Sequence, residues 1–312
     1  LSFVFIVESS QNRINLIFKF WSYLFYIVIF DLIIEYIIGS NIFGMKTFGP
    51  KGMRLGRFTG LDSNIGNYFY GFSLLCLSYI YKLHPKKNLF NYSIAILFIV
   101  ISFLIGERSN FIKTFIIITL FSLFVYDIKL KIKLLSIPIL TLFIIFYIFT
   151  DKHLKNRYYE QFALPIINNG IGYYLDNSNY GAHYSVAYEI FKKNKVFGVG
   201  IKNFRVESYS SNYEIDHKFN NIKGNTHPHQ IHFEFLSETG LFGYLSFIIV
   251  MLGSLIISLK NYLINKNVYQ LSGILFVSSS LIPLIPSGSF FTTYSSAIFW
   301  INFAVMIAFN KN

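Results

Sequence analysis

Three histidines, His227, His229 and His232, fall within six positions of the polar stretch GNTHPHQIHFEFLSETGLFGY, Gly224 to Tyr244. Imidazole is the side chain best matched to proton transfer near neutral pH, so their local structure matters. The stretch predicts a short helix from about Pro228 to Thr239. Pro228 suits its first turn, where the missing N–H has no intrahelical partner, and Gly240 is a fitting stop because glycine takes the left-handed conformation without steric cost. In that first turn His229 would meet the positive end of the helix dipole, which disfavours imidazolium, beside backbone N–H groups that favour an anion. A neutral histidine next to an anion-friendly helix end suits group transfer from a phosphate leaving group.

Other chemistries are less well supplied. His229 and His232 at i, i+3 could begin a zinc site, but tetrahedral zinc needs further ligands and no cysteine is near. The chain has one cysteine, Cys76, so no intrachain disulfide can form. It offers no Asp-x-Asp pair to hold a divalent ion for a nucleotide-sugar donor. Arginines could neutralise a lipid diphosphate in the metal's place, since the guanidinium fork fits phosphate oxygens. Arg57 in RFTGLDSN and Arg108 in GERSN are the candidates, each also readable as an interfacial arginine reaching lipid headgroups. Gly198-Val199-Gly200-Ile201-Lys202-Asn203-Phe204 holds a GxG without Rossmann surroundings and reads as a structural turn. Glu234 and Glu238 have no helical spacing to His229 and read as polar-face residues.

The elements that must position these groups are membrane helices. The 312 residues are 54% hydrophobic and 20% aromatic with only 13% charged, and the mean hydropathy is +0.49. Runs such as Leu134 to Phe149 approach the roughly 20 apolar residues needed to cross a bilayer. The expected fold is an all-α integral membrane protein, a polytopic helical bundle of eight spans plus a partial one at Phe3 to Val7. The spans are placed near 16–38, 66–81, 89–105, 111–126, 134–150, 242–259, 269–285 and 294–309. Residue 1 is Leu, and the chain reads as a fragment lacking earlier spans. The organisation expected is 1–150, N-terminal helices with arginine-bearing loops; 151–240, one large loop with short helices; and 241–312, C-terminal helices.

A net charge of +12 would suggest nucleic acid in a soluble protein. Here the basic residues sit in short loops between apolar runs, so topology accounts for much of the charge and no nucleic-acid partner is expected. One set of loops and the tail holds Arg13, Lys82, Lys86, Lys87, Lys129, Lys131, Lys133, Lys260, Lys266 and Lys311. The opposite set holds Lys46, Lys51, Arg54, Arg57 and Arg108. The positive-inside rule makes the first set cytoplasmic. Arg57, Arg108 and the loop around His229 then share the outer face.

His229-Gln230, nine residues and Gly240-Leu241-Phe242-Gly243 together resemble the histidine motif of bacterial O-antigen ligases, a His followed by Asn, Ser or Gln, nine residues and G-x-x-G. FGVGIKNF resembles the family's GxGxxNF segment, and RFTGLDSN and GERSN its two arginine-bearing segments. The resemblance implies an inner-membrane glycosyltransferase of the O-antigen ligase and polymerase superfamily. Such an enzyme acts on the periplasmic side on glycans carried by undecaprenyl diphosphate, without nucleotide, metal or other cofactor. It implies that His229 acts on the acceptor hydroxyl and that Arg57 and Arg108 contact the diphosphate. Many relatives carry an arginine upstream of GxGxxNF where this chain has His183, which leaves Arg205 as the substitute third contact. The expected reaction is ligation of a glycan to a lipid A-core sugar. Polymerisation onto another lipid-linked glycan and protein O-glycosylation use the same motif. A transporter, with Asp31 and Glu35 lining a path, is the reading from another class.

Overall fold

The computed structural model describes residues 11–47, 54–57 and 65–310. The partial span at Phe3 to Val7 and the FTGLDSN part of the first arginine segment lie outside them. The helices are α1 (Gln11–Ile38), α2 (Ile65–Leu83), α3 (Asn88–Leu104), α4 (Arg108–Val125), α5 (Leu130–Thr150), α6 (Leu164–Asp176), α7 (Asn179–Lys193), α8 (Phe204–Glu207), α9 (Ile231–Asn265), α10 (Val268–Ser280) and α11 (Thr293–Ala308). A π-helical segment, Lys155–Ala163, precedes α6. No strand forms among the described residues. Each of the eight expected apolar stretches is helical. Four helices, over Arg13–Ile38, Arg108–Val125, Leu130–Thr150 and Ile231–Asn265, are long and apolar enough to cross a membrane. The stretch expected to reach residue 285 stops at Ser280, just short of Pro283, as helices tend to do before a proline.

The chain forms two compact units, one of residues 1–154, 255–280 and 298–312, the other of residues 155–254 and 281–297. In the first, α2 packs against α1, α3, α4 and α10. Fourteen of its 19 residues are buried. Phe25 of α1 meets Phe69 of α2 and Phe98 of α3 at ring-centroid distances of 5.0 and 5.3 Å. α5 is the opposite case: Lys133 and Ile144 are its buried residues, while Ile139, Leu142, Phe143 and Phe146 are more than half exposed. An apolar helix with its backbone bonds closed internally and its side chains bare is suited to lipid as solvent.

Carboxyl groups tie the loops of this unit to its helices. Asp31, fully buried, accepts the Ile42 N–H at 2.9 Å. Glu35, also fully buried, accepts the N–H groups of Gly56 and Arg57 at 2.8 and 3.2 Å. Glu107, just before α4, accepts Gly66 N–H at 3.1 Å and the Asn110 amide at 2.6 Å. Asp31 and Glu35, the residues of the transporter reading, thus hold loop backbone.

The second unit has a core of its own, with Ala182, Val186, Ala187 and Ile190 of α7 packed with Phe204, Tyr213 and Ile215. The polar stretch that reads in sequence as a large irregular loop is folded around α7. Ser178 caps that helix, its hydroxyl accepting Gly181 N–H at 3.1 Å.

Removing an acceptor from a buried N–H strands the donor, so Glu35→Ala should cost about 2–4 kcal/mol. Thermal unfolding in detergent should show a lowered midpoint with faster proteolysis between residues 39 and 57. Glu35→Gln, which keeps an acceptor oxygen, should lose less.

Candidate active site

The histidine segment folds differently from its sequence expectation. α9 begins at Ile231, three residues after Pro228, and His229 lies outside the helix with φ of +58°. Gln230 is the cap: its side-chain oxygen accepts the N–H groups of His232 and Phe233 at 2.7 and 3.2 Å. The amide of Gln230 can fill the N-cap role more usual for shorter polar side chains, which is why the helix starts after it. Asn, Ser and Gln share an oxygen able to do this. His229 itself is pinned by its carbonyl, which accepts Ser287 N–H at 2.7 Å. A left-handed conformation is costly for a non-glycine residue and persists where its surroundings hold it.

Gly240 is the expected break: with φ of +65° and ψ of −167° it ends one helical stretch and separates it from a second, the two together making up α9. A Cβ there would lie 2.4 Å from the backbone of Val196. The segment around Gly198 runs across this kink: Val199 and Gly200 N–H bond to the carbonyls of Ser237 and Glu238 at 3.0 and 2.8 Å, and Leu241 N–H to that of Lys195 at 2.7 Å. The GxG segment is therefore a structural turn docked on the kink. Glu234 and Glu238, read from sequence as polar-face residues, are buried at 1% exposure. Glu238 accepts the N–H groups of Lys202 and Phe204 at 2.6 and 3.3 Å. Glu234 accepts Phe290 N–H at 2.7 Å and the Ser289 hydroxyl. Their i, i+4 spacing gave no sign of this because the partners come from distant loops.

Around His229 the structure gathers His227, His183 and Tyr180, at ring-centroid distances of 4.0, 5.5 and 5.6 Å. His227, which reads as an ordinary loop histidine, is thus part of the cluster. Its Nδ1 lies 3.0 Å from the Thr226 hydroxyl. His232 is the satisfied structural histidine, Nε2 bonding to Leu281 O at 2.8 Å and Nδ1 to the Tyr244 hydroxyl at 3.1 Å. His183, at 6% exposure, is brought beside His229 from α7.

Burial, and after it the charges of His227 and His183, holds His229 down to about 3 from the usual 6.5. His227 is held down to about 4 by burial first and then by His183, with Arg205 contributing in the same direction. His183 is also lowered, chiefly by burial. The rings are therefore neutral at pH 7. The expected neutral histidine is present, with desolvation as the leading cause in place of a helix dipole.

Arg205 belongs to the same unit as His229, lies exposed on α8, and its charge reaches His227. Arg57 and Arg108 belong to the other unit. Arg57 directly follows Gly56, and both their N–H groups bond to Glu35. Arg108 is the first residue of α4, next to Glu107. Among the described residues no group of three or more His, Cys, Asp or Glu side chains has metal-holding geometry.

A helical protein with long apolar spans and a buried, neutral histidine cluster defines a membrane protein equipped for polar chemistry. The family model described as O-antigen ligase matches residues 93–248, half of the chain, and the chain belongs to that family. The match includes Arg108, Arg205 and His229; Arg57 lies before it. The family is of the O-antigen ligase or polymerase type, glycosyltransferase-like enzymes of a membrane setting with lipid-linked glycan substrates. No curated protein matches the chain.

The buried histidines make acid destabilising. As pH falls below 6.5 the unfolded chain takes up protons that the folded rings refuse until about pH 3 to 4, so their contribution is whole above 6.5 and drains below it. The melting midpoint in detergent should drop between pH 7 and 5, and drop less in His229→Gln. Equal drops would contradict the assignment.

Proposed function

We propose that the protein is a ligase that moves a glycan from undecaprenyl diphosphate to a sugar hydroxyl of lipid A core, on the periplasmic face of the bacterial inner membrane. The observation that carries this reading is the neutral, buried His229 at the head of the His-Gln-x9-GxxG segment, inside the family match. The eight apolar helices are read as eight spans. The charge bias of the short loops supports a periplasmic location for His229, Arg57 and Arg108.

In this reading the acceptor oxygen attacks the anomeric carbon as its bond to the phosphate oxygen breaks, with inversion. The hydroxyl proton passes to His229, and undecaprenyl diphosphate leaves with its charge. Arg57, Arg108 and Arg205 bind the diphosphate and stabilise the charge that develops there, a contribution often larger than proton transfer itself. No metal is assigned a role. The neutral state of His229 leaves a lone pair ready for the proton.

Reconstituted with an undecaprenyl-diphosphate-linked glycan and core-bearing lipid A, His229→Ala should lose about 10²–10⁴ in rate. Arg108→Ala should lose at least as much, with membrane insertion retained in both. Wild-type lipopolysaccharide ladders from either variant would refute the roles. A deletion strain should accumulate unattached lipid-linked polymer; single repeats attached to core would instead indicate a polymerase.

A further inference from the structure

Asn225 sits between two of the histidines. Its side-chain nitrogen lies 3.1 Å from Nε2 of His183 and 3.2 Å from Nε2 of His229. The orientation of the carboxamide is set from the other end, where Oδ1 accepts Thr226 N–H at 2.7 Å and the Thr226 hydroxyl at 3.3 Å. The NH₂ group thus faces the rings, with one hydrogen for each. The backbone of Asn225 is clasped by buried Ser208, whose hydroxyl donates to Asn225 O and accepts from Asn225 N–H, both at 3.2 Å.

A ring nitrogen that accepts a hydrogen bond carries no proton, so Nε2 is the bare nitrogen in both histidines and Nδ1 bears the hydrogen. His183 confirms this independently, since its Nδ1 lies 3.0 Å from Lys223 O, an acceptor that requires N–H.

We infer that Asn225 is a positioning residue for glycan transfer: its carboxamide holds His183 and His229 as a matched pair of neutral rings and makes Nε2 of His229 the atom that receives the acceptor proton. This rests on the reading of His229 as the catalytic histidine. With no substrate bound, Asn225 satisfies that lone pair. The incoming hydroxyl takes over Nε2, while Asn225 keeps its bond to His183 and so keeps its place. The left-handed backbone of His229, tied to Ser287, aims the ring at Asn225 and leaves the tautomer to be set by the amide. The groups facing His229 are His227 on its own segment and His183 and Tyr180 from α7, with Arg205 acting on His227 and His217 on His183. None of these is a carboxyl group, so a carboxylate at position 225 would be a new negative charge in the cluster.

The test uses full-chain protein in nanodiscs, labelled with ¹⁵N-histidine, and its Asn225→Asp and Asn225→Ala variants. Wild type should show His183 and His229 with protonated Nδ1 and bare Nε2. In Asn225→Asp the carboxylate accepts where the amide donated, so Nε2 of His229 should become protonated. Its transfer rate should fall about tenfold or more at pH 7 with donor KM within about twofold, and the acid limb of the pH profile should move up by about one unit or more. Asn225→Ala should also slow transfer without that upward movement. A wild-type His229 protonated at Nε2, or an Asn225→Asp profile superimposable on wild type, overturns the inference even if His229→Ala is inactive. Transfer retained by His229→Ala overturns the catalytic reading itself, and with it the assigned proton acceptor, whatever tautomers the spectra show.

Discussion

Carboxyl groups that accept backbone N–H hydrogen bonds from other segments of the chain are the interaction on which the ordered loops depend. Asp31, Glu35 and Glu107 do this in one unit, and Glu234 and Glu238 in the other. The chain has only 15 acidic residues, and among the described ones five are used in this way, four of them buried and Glu107 half-buried. The physical reason lies in loop backbone, which cannot satisfy its own N–H groups as a helix does, yet must be paired where it leaves water. A carboxyl oxygen reaching from a helix, or for Glu107 from the residue that precedes one, supplies that acceptor at a fixed height. The loop then inherits the rigidity of the helix.

The placement of the candidate functional residues follows from these ties. The Glu35 bonds fix the backbone of Arg57, and the Glu107 bonds join the start of α4, where Arg108 sits, to the start of α2. Glu234 holds the turn at Ser289 and Phe290, and the same turn gives Ser287 N–H to the carbonyl of His229. Glu238 holds the segment Lys202 to Phe204, next to Arg205. Each candidate residue is thus within two positions of such a backbone group or of its carboxyl acceptor, or bonded to a turn so held.

The histidine cluster shows a second consequence of burial. Several imidazoles close together could be charged, metal-bound or neutral, and desolvation selects the neutral form here. Neutral rings need their nitrogens satisfied by groups of the right polarity. Asn225, Lys223 O and Thr226 supply these contacts to His183, His229 and His227. His232, a few residues on, is satisfied at both nitrogens by Leu281 O and Tyr244 and takes no part.

Much was legible in the sequence because it depends on composition and local pattern. The apolar runs gave the eight helices, the spacing from His229 to Gly240 and Gly243 gave the family, and Gly240 gave the break in α9. α9 starts later than its sequence predicts: Pro228 can begin a helix, but Gln230 caps this one because its side chain folds back onto His232 and Phe233. His183 stood out in sequence merely as a departure from an arginine, and His227 as an ordinary loop residue. Tertiary structure alone decided that they flank His229, since α7 and the segment at Gly224 are some forty residues apart and meet through the core around Phe204. The same holds for Glu234 and Glu238, whose partners are loop N–H groups that carry no side-chain signature. Sequence records which side chains are available; which backbone donors reach them is settled only when distant segments pack.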